Sequence, residues 1–177
     1  MRFKVLFVLI VLCTQFVYSE EFFGPRQVLV PGLKVQVDLP QGWKLHFTAP
    51  DSFFISSMTG SVRSLRFSEF KKEATDIDVA LAEYKRVQAL YSGRRDVRFQ
   101  IDDRGRSKTG YYLHYTRTHP QLGVSKGFIG CTPRGKNRFL VATGEGTQAR
   151  VGKRQGLKPN DQEMLEMRNV WSRVDPE

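Results

Sequence analysis

Cysteine is scarce in this sequence: Cys13 and Cys131 are the only two cysteines among 177 residues. Cys13 lies in an apolar N-terminal segment that we interpret as a cleaved leader, so one thiol remains. A single cysteine cannot form an internal disulfide, and the fold must depend on its hydrophobic core. We interpret Cys131 as a small buried residue near a strand end, the alternative being a thiol that joins two copies. No histidines and cysteines have the spacing of a zinc site, and no pattern indicates a metal or a cofactor.

Long hydrophobic runs are absent except at the N-terminus, where residues 5–17 (VLFVLIVLCTQFV) are almost wholly apolar. This run is too short to cross a bilayer core, which takes about 20 apolar residues. Basic residues precede the run, and Val17, its last residue, and Ser19 occupy the two positions before the cleavage point that a signal peptidase requires to be small or aliphatic. The sequence therefore predicts a signal peptide over residues 1–19, cleaved after Ser19, and an exported periplasmic or extracellular protein without a transmembrane segment.

Acidic residues are in deficit, with 18 Asp and Glu against 28 Lys and Arg and a net charge of +10. The leader carries Arg2 and Lys4 and no acid, so the charge falls from +10 to +8 when it is removed. Such a charge favours anionic partners, which include nucleic acid, phospholipid headgroups, acidic glycans and acidic protein surfaces, without selecting among them. It also keeps an exported protein soluble.

Most of the mature chain alternates apolar and polar residues with a period of two, which is typical of half-buried strands. On this pattern we predict strands within residues 32–40, 41–50, 52–58, 61–70, 97–101, 111–118, 123–131 and 139–144. Apolar residues recur at helical spacing only in residues 76–91 and in the C-terminal segment 160–174. Thr75 and Asp78 have the spacing of a helix-capping pair at the start of the first helix.

These elements predict the α+β class, with one antiparallel sheet and helices packed on its faces. Residues 20–32 are expected to form a loose lead-in, and residues 33–177 a single domain. Residues 102–109 and 131–138 are predicted to be turns of an antiparallel meander. Because alternate turns of a meander lie at the same end of the sheet, we expect these two turns to be neighbours.

Basic residues cluster in these two turns, and we call the set the cationic rim. Its members are Arg104, Arg106, Lys108, Arg134, Lys136 and Arg138. A surface that binds nucleic acid usually adds exposed aromatic side chains that stack on bases, and both turns lack them. We therefore interpret the rim as the contact surface for a protein or another anionic partner, and nucleic acid stays open with weaker support.

Two histidines, an arginine and three tyrosines fall within residues 110–121 (GYYLHYTRTHPQ). His114 and His119 have opposite parity, so they should lie on opposite faces of a regular strand. A metal-independent ribonuclease would need two imidazoles and a cation around one phosphate. His46 and His114 both occupy polar positions of predicted strands and are the pair that such an enzyme would use. The more common role of such histidines is structural, and we assign no catalytic residue.

The order of elements resembles the PsbP-like fold family, the bacterial secreted relatives of the extrinsic photosystem II subunit. The matching segments within residues 33–174 are VQVDLPQGWKLHF, DVALAEYKRVQAL, GYYLHYTRT, FLVATG and LEMRNVWSRV, and the motif-like element is Pro40-Gln41-Gly42-Trp43. The resemblance implies an α/β/α sandwich that acts as a binding or assembly module without catalysis. It supplies no residue of a site.

From these observations we predict an exported, non-enzymatic binding or assembly module whose cationic rim contacts an anionic partner. The alternative is a secreted basic hydrolase that acts on nucleic acid, with His46 or His114 as the general acid or base.

Overall fold

The computed structural model describes residues 21–49, 51–58, 64–120, 123–146 and 161–176. The signal peptide predicted for residues 1–19 lies outside these ranges. Within them, no helix has the length and apolar character needed to cross a membrane.

Eleven strands and two helices make up the described part of the chain. The strands are β1 (Glu21–Phe23), β2 (Arg26–Val30), β3 (Val35–Leu39), β4 (Trp43–Ala49), β5 (Ser52–Ser57), β6 (Ser64–Lys71), β7 (Arg98–Arg106), β8 (Tyr111–His119), β9 (Gly123–Pro133), β10 (Arg138–Glu145) and β11 (Val174–Pro176). The helices are α1 (Asp76–Ala89) and α2 (Asp161–Trp171). Eight strands form a large antiparallel sheet in the order β1-β4-β5-β6-β10-β9-β8-β7, and three form a small sheet in the order β11-β3-β2.

The large sheet buries apolar side chains on both faces. On one face Leu113, Ile129 and Val141 pack beneath α1, and we call this the α1 face. On the other, the α2 face, Phe67 and Leu140 pack beneath α2 and the small sheet. The alternation of the sequence explains this arrangement, since successive residues of a strand point to opposite faces.

The predicted α+β class, with an α/β/α sandwich, is wrong. Strands account for 56% of the described residues and helix for 18%, so the fold is β-rich. The α2 face of the large sheet is covered by α2 and also by the small sheet. Val35, Val37 and Leu39 of the small sheet are buried in the cluster between the two sheets. The small sheet escaped prediction because β2 lies in the expected lead-in and β11 in the segment expected to belong to the C-terminal helix.

The expected lead-in at residues 20–32 is also corrected, since β1 and β2 lie within it. β3 and β4, which follow each other in the sequence, do not pair and belong to different sheets. β3 pairs with β2 and β11, whereas β4 pairs with β1 and β5. Burial favours this arrangement, because Leu39 and Leu45 are both fully buried in the cluster between the two sheets.

The two helices form where the sequence predicts them. Thr75 and Asp78 close a capping box at the start of α1, in which the Asp78 amide donates to the Thr75 hydroxyl over 3.2 Å. Met164, Met167 and Trp171 form the buried stripe of α2. Val174, which was expected to continue that helix, lies in β11 instead.

Candidate functional site

The two turns of the cationic rim lie at the same end of the large sheet, as predicted. The β7–β8 turn packs against the end of β9, since a Cβ on Gly110 would collide with the Cys131 carbonyl oxygen. Gly110 has a φ of +148°, a conformation that side chains rarely allow. The turn is shorter than expected: β7 continues to Arg106, so Arg104 and Arg106 stand on a strand and not in a loop.

Two arginines of the rim are held by carboxylates of the same chain. Arg106 donates two hydrogen bonds to Asp76, the first residue of α1, over 2.7 and 2.8 Å. Arg138 donates two to Glu69 on β6, over 3.0 and 2.6 Å. Burial opposes ionisation of Glu69, but hydrogen bonds from Lys71 and Arg138 outweigh it and lower its pKa. Both carboxylates stabilise the fold and reduce the positive charge of the rim.

Arg134 is buried and not part of the exposed rim. Its side chain is 5% exposed, and its Nη2 donates to the carbonyl oxygen of Lys34 over 3.0 Å. Its Nη1 lies 3.8 Å from the Glu69 carboxylate. Arg134 therefore ties the β9–β10 turn to the turn between β2 and β3, where it serves packing and not contact with a partner.

Three rim residues remain available. Arg104, Lys108 and Lys136 are exposed and make no ion pair with any described residue. Arg106 and Arg138 add exposed guanidinium edges, since their side chains are 61% and 49% accessible despite their ion pairs. The rim is thus a partly neutralised edge with two free lysines at neighbouring turns.

A cleft of about 610 Å³ opens beside the rim, between the β7–β8 turn and β11. Arg106, Lys108 and Arg173 contribute positive charge to its walls, and Asp76 and Asp175 contribute negative charge. The sequence did not single out Arg173, because only the pairing of β11 with β3 brings the end of the chain to this cleft.

The histidines do not converge. His114 lies on the α2 face and His119 on the α1 face, which confirms the expectation from parity. His46 lies on the α1 face beside Phe54, at a ring distance of 5.5 Å. Four strands separate β4 from β8, which corresponds to roughly 24 Å at the usual strand spacing. The hydrolase alternative therefore loses the pair of imidazoles that it requires.

Tyr115, Arg117 and His119 in this segment have structural partners. Arg117 donates to Glu145 over 2.8 and 3.2 Å, and the hydroxyl of Tyr115 donates to the same carboxylate over 3.2 Å. Nε2 of His119 lies 3.2 Å from Nη1 of Arg94. Because a guanidinium only donates, this ring nitrogen accepts. The abundance of rings and charges in this strand thus reflects a buried polar network.

Cys131 is a buried packing residue, as predicted. It is fully inaccessible within the cluster beneath α1. Burial and the negative charge of Asp76 raise the pKa of its thiol to about 12. A protonated, inaccessible thiol cannot act as a nucleophile or link two copies in this conformation. Within the described residues, no group of three or more His, Cys, Asp or Glu side chains is placed to hold a metal ion.

His114 is the histidine with the most unusual surroundings. It lines a second cleft, of about 340 Å³, together with Asp102, Asp103, Lys126 and Arg168. Its Nδ1 is 4.0 Å from the Asp103 carboxylate, and its Nε2 is buried without a hydrogen-bond partner among the described residues. Burial lowers the pKa of His114, an effect that Asp103 opposes and Arg168 reinforces.

A pH dependence of stability follows from this lowered pKa. The unfolded chain binds a proton at His114 below its ordinary pKa of about 6.5, whereas the folded chain resists protonation until a lower pH. The stability that depends on neutral His114 is therefore fully present above the unfolded pKa of about 6.5, and it is lost as the pH falls from there through the lower pKa of the folded chain. We expect His114→Phe to reduce the loss of unfolding free energy between pH 7.5 and pH 5.5, measured by urea titration. An equal loss in the wild type and the variant would contradict this assignment.

No model of a known protein family matches the chain, and no curated protein is significantly similar to it. The resemblance to the PsbP-like family stays a prediction from the order of sequence patterns.

Proposed function

We propose that the protein is an exported, non-enzymatic binding or assembly module that contacts an acidic surface of a partner protein through the cationic rim. The observation that carries the proposal is the position of Lys108 and Lys136. Both are exposed, neither has an ion-pair partner among the described residues, and they occupy neighbouring turns at one end of the sheet. Exposed charges of one sign attract and orient a partner of the opposite sign.

A protein partner is favoured over nucleic acid by the distribution of aromatic side chains. Phe23 is the one exposed aromatic residue in the described ranges, and it pairs with Lys44 at the end of the sheet opposite to the rim. Stacking of bases on aromatic rings would be expected at a surface for single-stranded nucleic acid. Export is supported by the signal-peptide pattern of residues 1–19.

Reversal of the two free lysines tests the proposal. We expect Lys108→Glu combined with Lys136→Glu to weaken binding to an immobilised polyglutamate probe about tenfold at low salt, since two attractive surface charges become repulsive. Surface plasmon resonance at several salt concentrations measures the effect, and the difference between the proteins should shrink as salt rises.

Lys85→Glu combined with Arg95→Glu is the matched control. These residues are exposed, make no ion pair with a described residue, and lie on α1 and in the loop that follows it, away from the rim. The control changes the net charge by the same amount. An equal loss of binding in the control would mean that overall charge, not the rim, attracts the probe. Tighter binding to a single-stranded oligonucleotide than to polyglutamate would contradict a protein partner.

A further inference from the structure

β7 is an edge strand of the large sheet, and its outer side is open. It pairs with β8 alone among the described strands, and each of its residues is at least partly exposed. A hollow of about 450 Å³ is bordered by residues 101–104 of β7. Because neighbouring residues of a strand point to opposite faces, a hollow bordered by one strand alone lies along the edge of the sheet. The edge is therefore accessible to another strand.

The hairpin to β8 decides which backbone groups of β7 face outward. The Ser107 amide donates to the Gly110 carbonyl oxygen over 2.8 Å, so these two residues form a hydrogen-bonded pair. Bonded and non-bonded pairs alternate along an antiparallel ladder, and the irregularity between Ile101 and Asp103 inserts one extra residue. Counted from the bonded pair, Phe99 and Ile101 hold non-bonded positions opposite β8, and their N–H and C=O groups point outward. No described residue hydrogen-bonds to these groups.

A second copy of the chain fits this edge best in one antiparallel register. Outward-facing residues must bond to each other, which allows Phe99 opposite Phe99, Phe99 opposite Ile101, or Ile101 opposite Ile101. With Phe99 opposite Ile101, Arg98 of each copy lies opposite Asp102 of the other. In the other two registers Arg98 has no carboxylate opposite it. Charge therefore selects the register that pairs Phe99 with Ile101, since opposite charges on facing residues stabilise a strand pair.

The side chains of these two residue pairs match in character. Arg98 and Asp102 are exposed, and no ion pair joins either of them to a described residue. Asp102 accepts from the Thr116 hydroxyl with one oxygen, which leaves the other for an arginine. Phe99 and Ile101 lie partly buried at the margin of the cluster beneath α1, so their contact extends this core from one copy to the other. Charges and a bulge discourage pairing of an edge with unrelated strands, which favours a second copy over other partners.

We propose that two copies of the chain associate through β7, as an antiparallel pair with Phe99 of each copy opposite Ile101 of the other. Each of these residue pairs exchanges both backbone hydrogen bonds, and an ion pair of Arg98 with Asp102 flanks it. The association goes beyond the proposed function and does not depend on the rim. Because the two strands run antiparallel, the rims of the two copies lie at opposite ends of the joined sheet, so the pair presents one rim in each direction.

Sedimentation equilibrium of the purified protein tests the association. We expect a reversible dimer with a dissociation constant on the order of 10 µM, since a short edge forms a small interface. Arg98→Asp sets carboxylates opposite each other, and Asp102→Arg sets cations opposite each other, so each variant alone should dimerise about tenfold more weakly. An equal mixture of the two variants should restore dimerisation, because arginine again faces aspartate at both ends of the mixed pair. A gain of affinity on mixing cannot result from misfolding.

Lys136→Glu is the matched control, because it changes the net charge as Arg98→Asp does but lies in the β9–β10 turn, away from the edge. It should leave the dissociation constant of the dimer unchanged. A wild-type protein that stays monomeric at millimolar concentration would overturn the proposal. A dimer that persists in both single variants, or a mixture that stays monomeric, would overturn it as well. Polyglutamate binding by a monomeric wild type would leave the rim in place.

Discussion

Replacement of Trp171 by alanine should lower the free energy of unfolding by about 3–5 kcal/mol, the range for removal of a large buried aromatic side chain. Trp171 is fully buried at the end of α2, and its ring lies 5.5 Å from that of Phe128. Its Nε1 donates to the Thr132 hydroxyl over 3.0 Å. Alanine leaves a cavity between α2 and β9 and removes the partner of a buried hydroxyl. Urea unfolding measures the loss.

Two further variants separate packing from hydrogen bonding at this position. Trp171→Phe keeps much of the apolar volume and removes the indole donor, so its cost should be about 1–2 kcal/mol. Gly130→Ala places a Cβ 2.6 Å from the indole ring and should also destabilise the protein. In a Trp171→Ala background that collision disappears, so the cost of Gly130→Ala should largely vanish. If the losses of unfolding free energy in Gly130→Ala and Trp171→Ala simply add in the double variant, the two residues are not in close contact.

Removal of the Glu145 carboxylate by Glu145→Ala should cost about 3 kcal/mol, the lower end for breaking a buried ion pair. The Arg117 side chain is 5% exposed and stays charged, so it would lose its counter-ion in the interior. Its position over the Tyr91 ring, at 4.8 Å, does not replace a carboxylate. The lower end of the range applies because the Glu145 side chain is 28% exposed, and water can enter from that side.

The double variant Arg117→Met with Glu145→Ala provides the control for this pair. An apolar side chain of similar length removes the buried charge, so the double variant should be more stable than Glu145→Ala alone. Chemical unfolding at neutral pH measures all three proteins. A double variant that is less stable than Glu145→Ala would show that Arg117 contributes mainly through other contacts.

Local patterns in the sequence were sufficient for several features of the fold. Alternation in the segment around Leu65 and Phe67 predicted a strand, and both side chains are buried on one face of β6. Thr75 and Asp78 predicted the start of α1, because a capping box involves residues three positions apart. The opposite parity of His114 and His119 placed them on opposite faces. Each prediction depends only on neighbours along the chain.

Features that depend on distant residues were missed or misplaced. The ion pair of Arg106 with Asp76 spans 30 residues, and that of Arg138 with Glu69 spans 69. Neither spacing is visible as a motif, so the rim appeared more positive in the sequence than it is in the fold. β2 is flanked by Pro25 and Pro31 and therefore resembled a loop. β2 forms a strand because it pairs with β3, and this pairing buries Val28 and Val30 in the core.

Closure of the small sheet has a consequence for biogenesis. Arg173 and Asp38, which border the pairing of β11 with β3, are 135 positions apart. A ribosome must therefore release the whole intervening chain before the last strand can be added, and such long-range pairing slows folding. The small sheet thus closes late, which suits passage of an extended chain across a membrane, as the export that we propose requires.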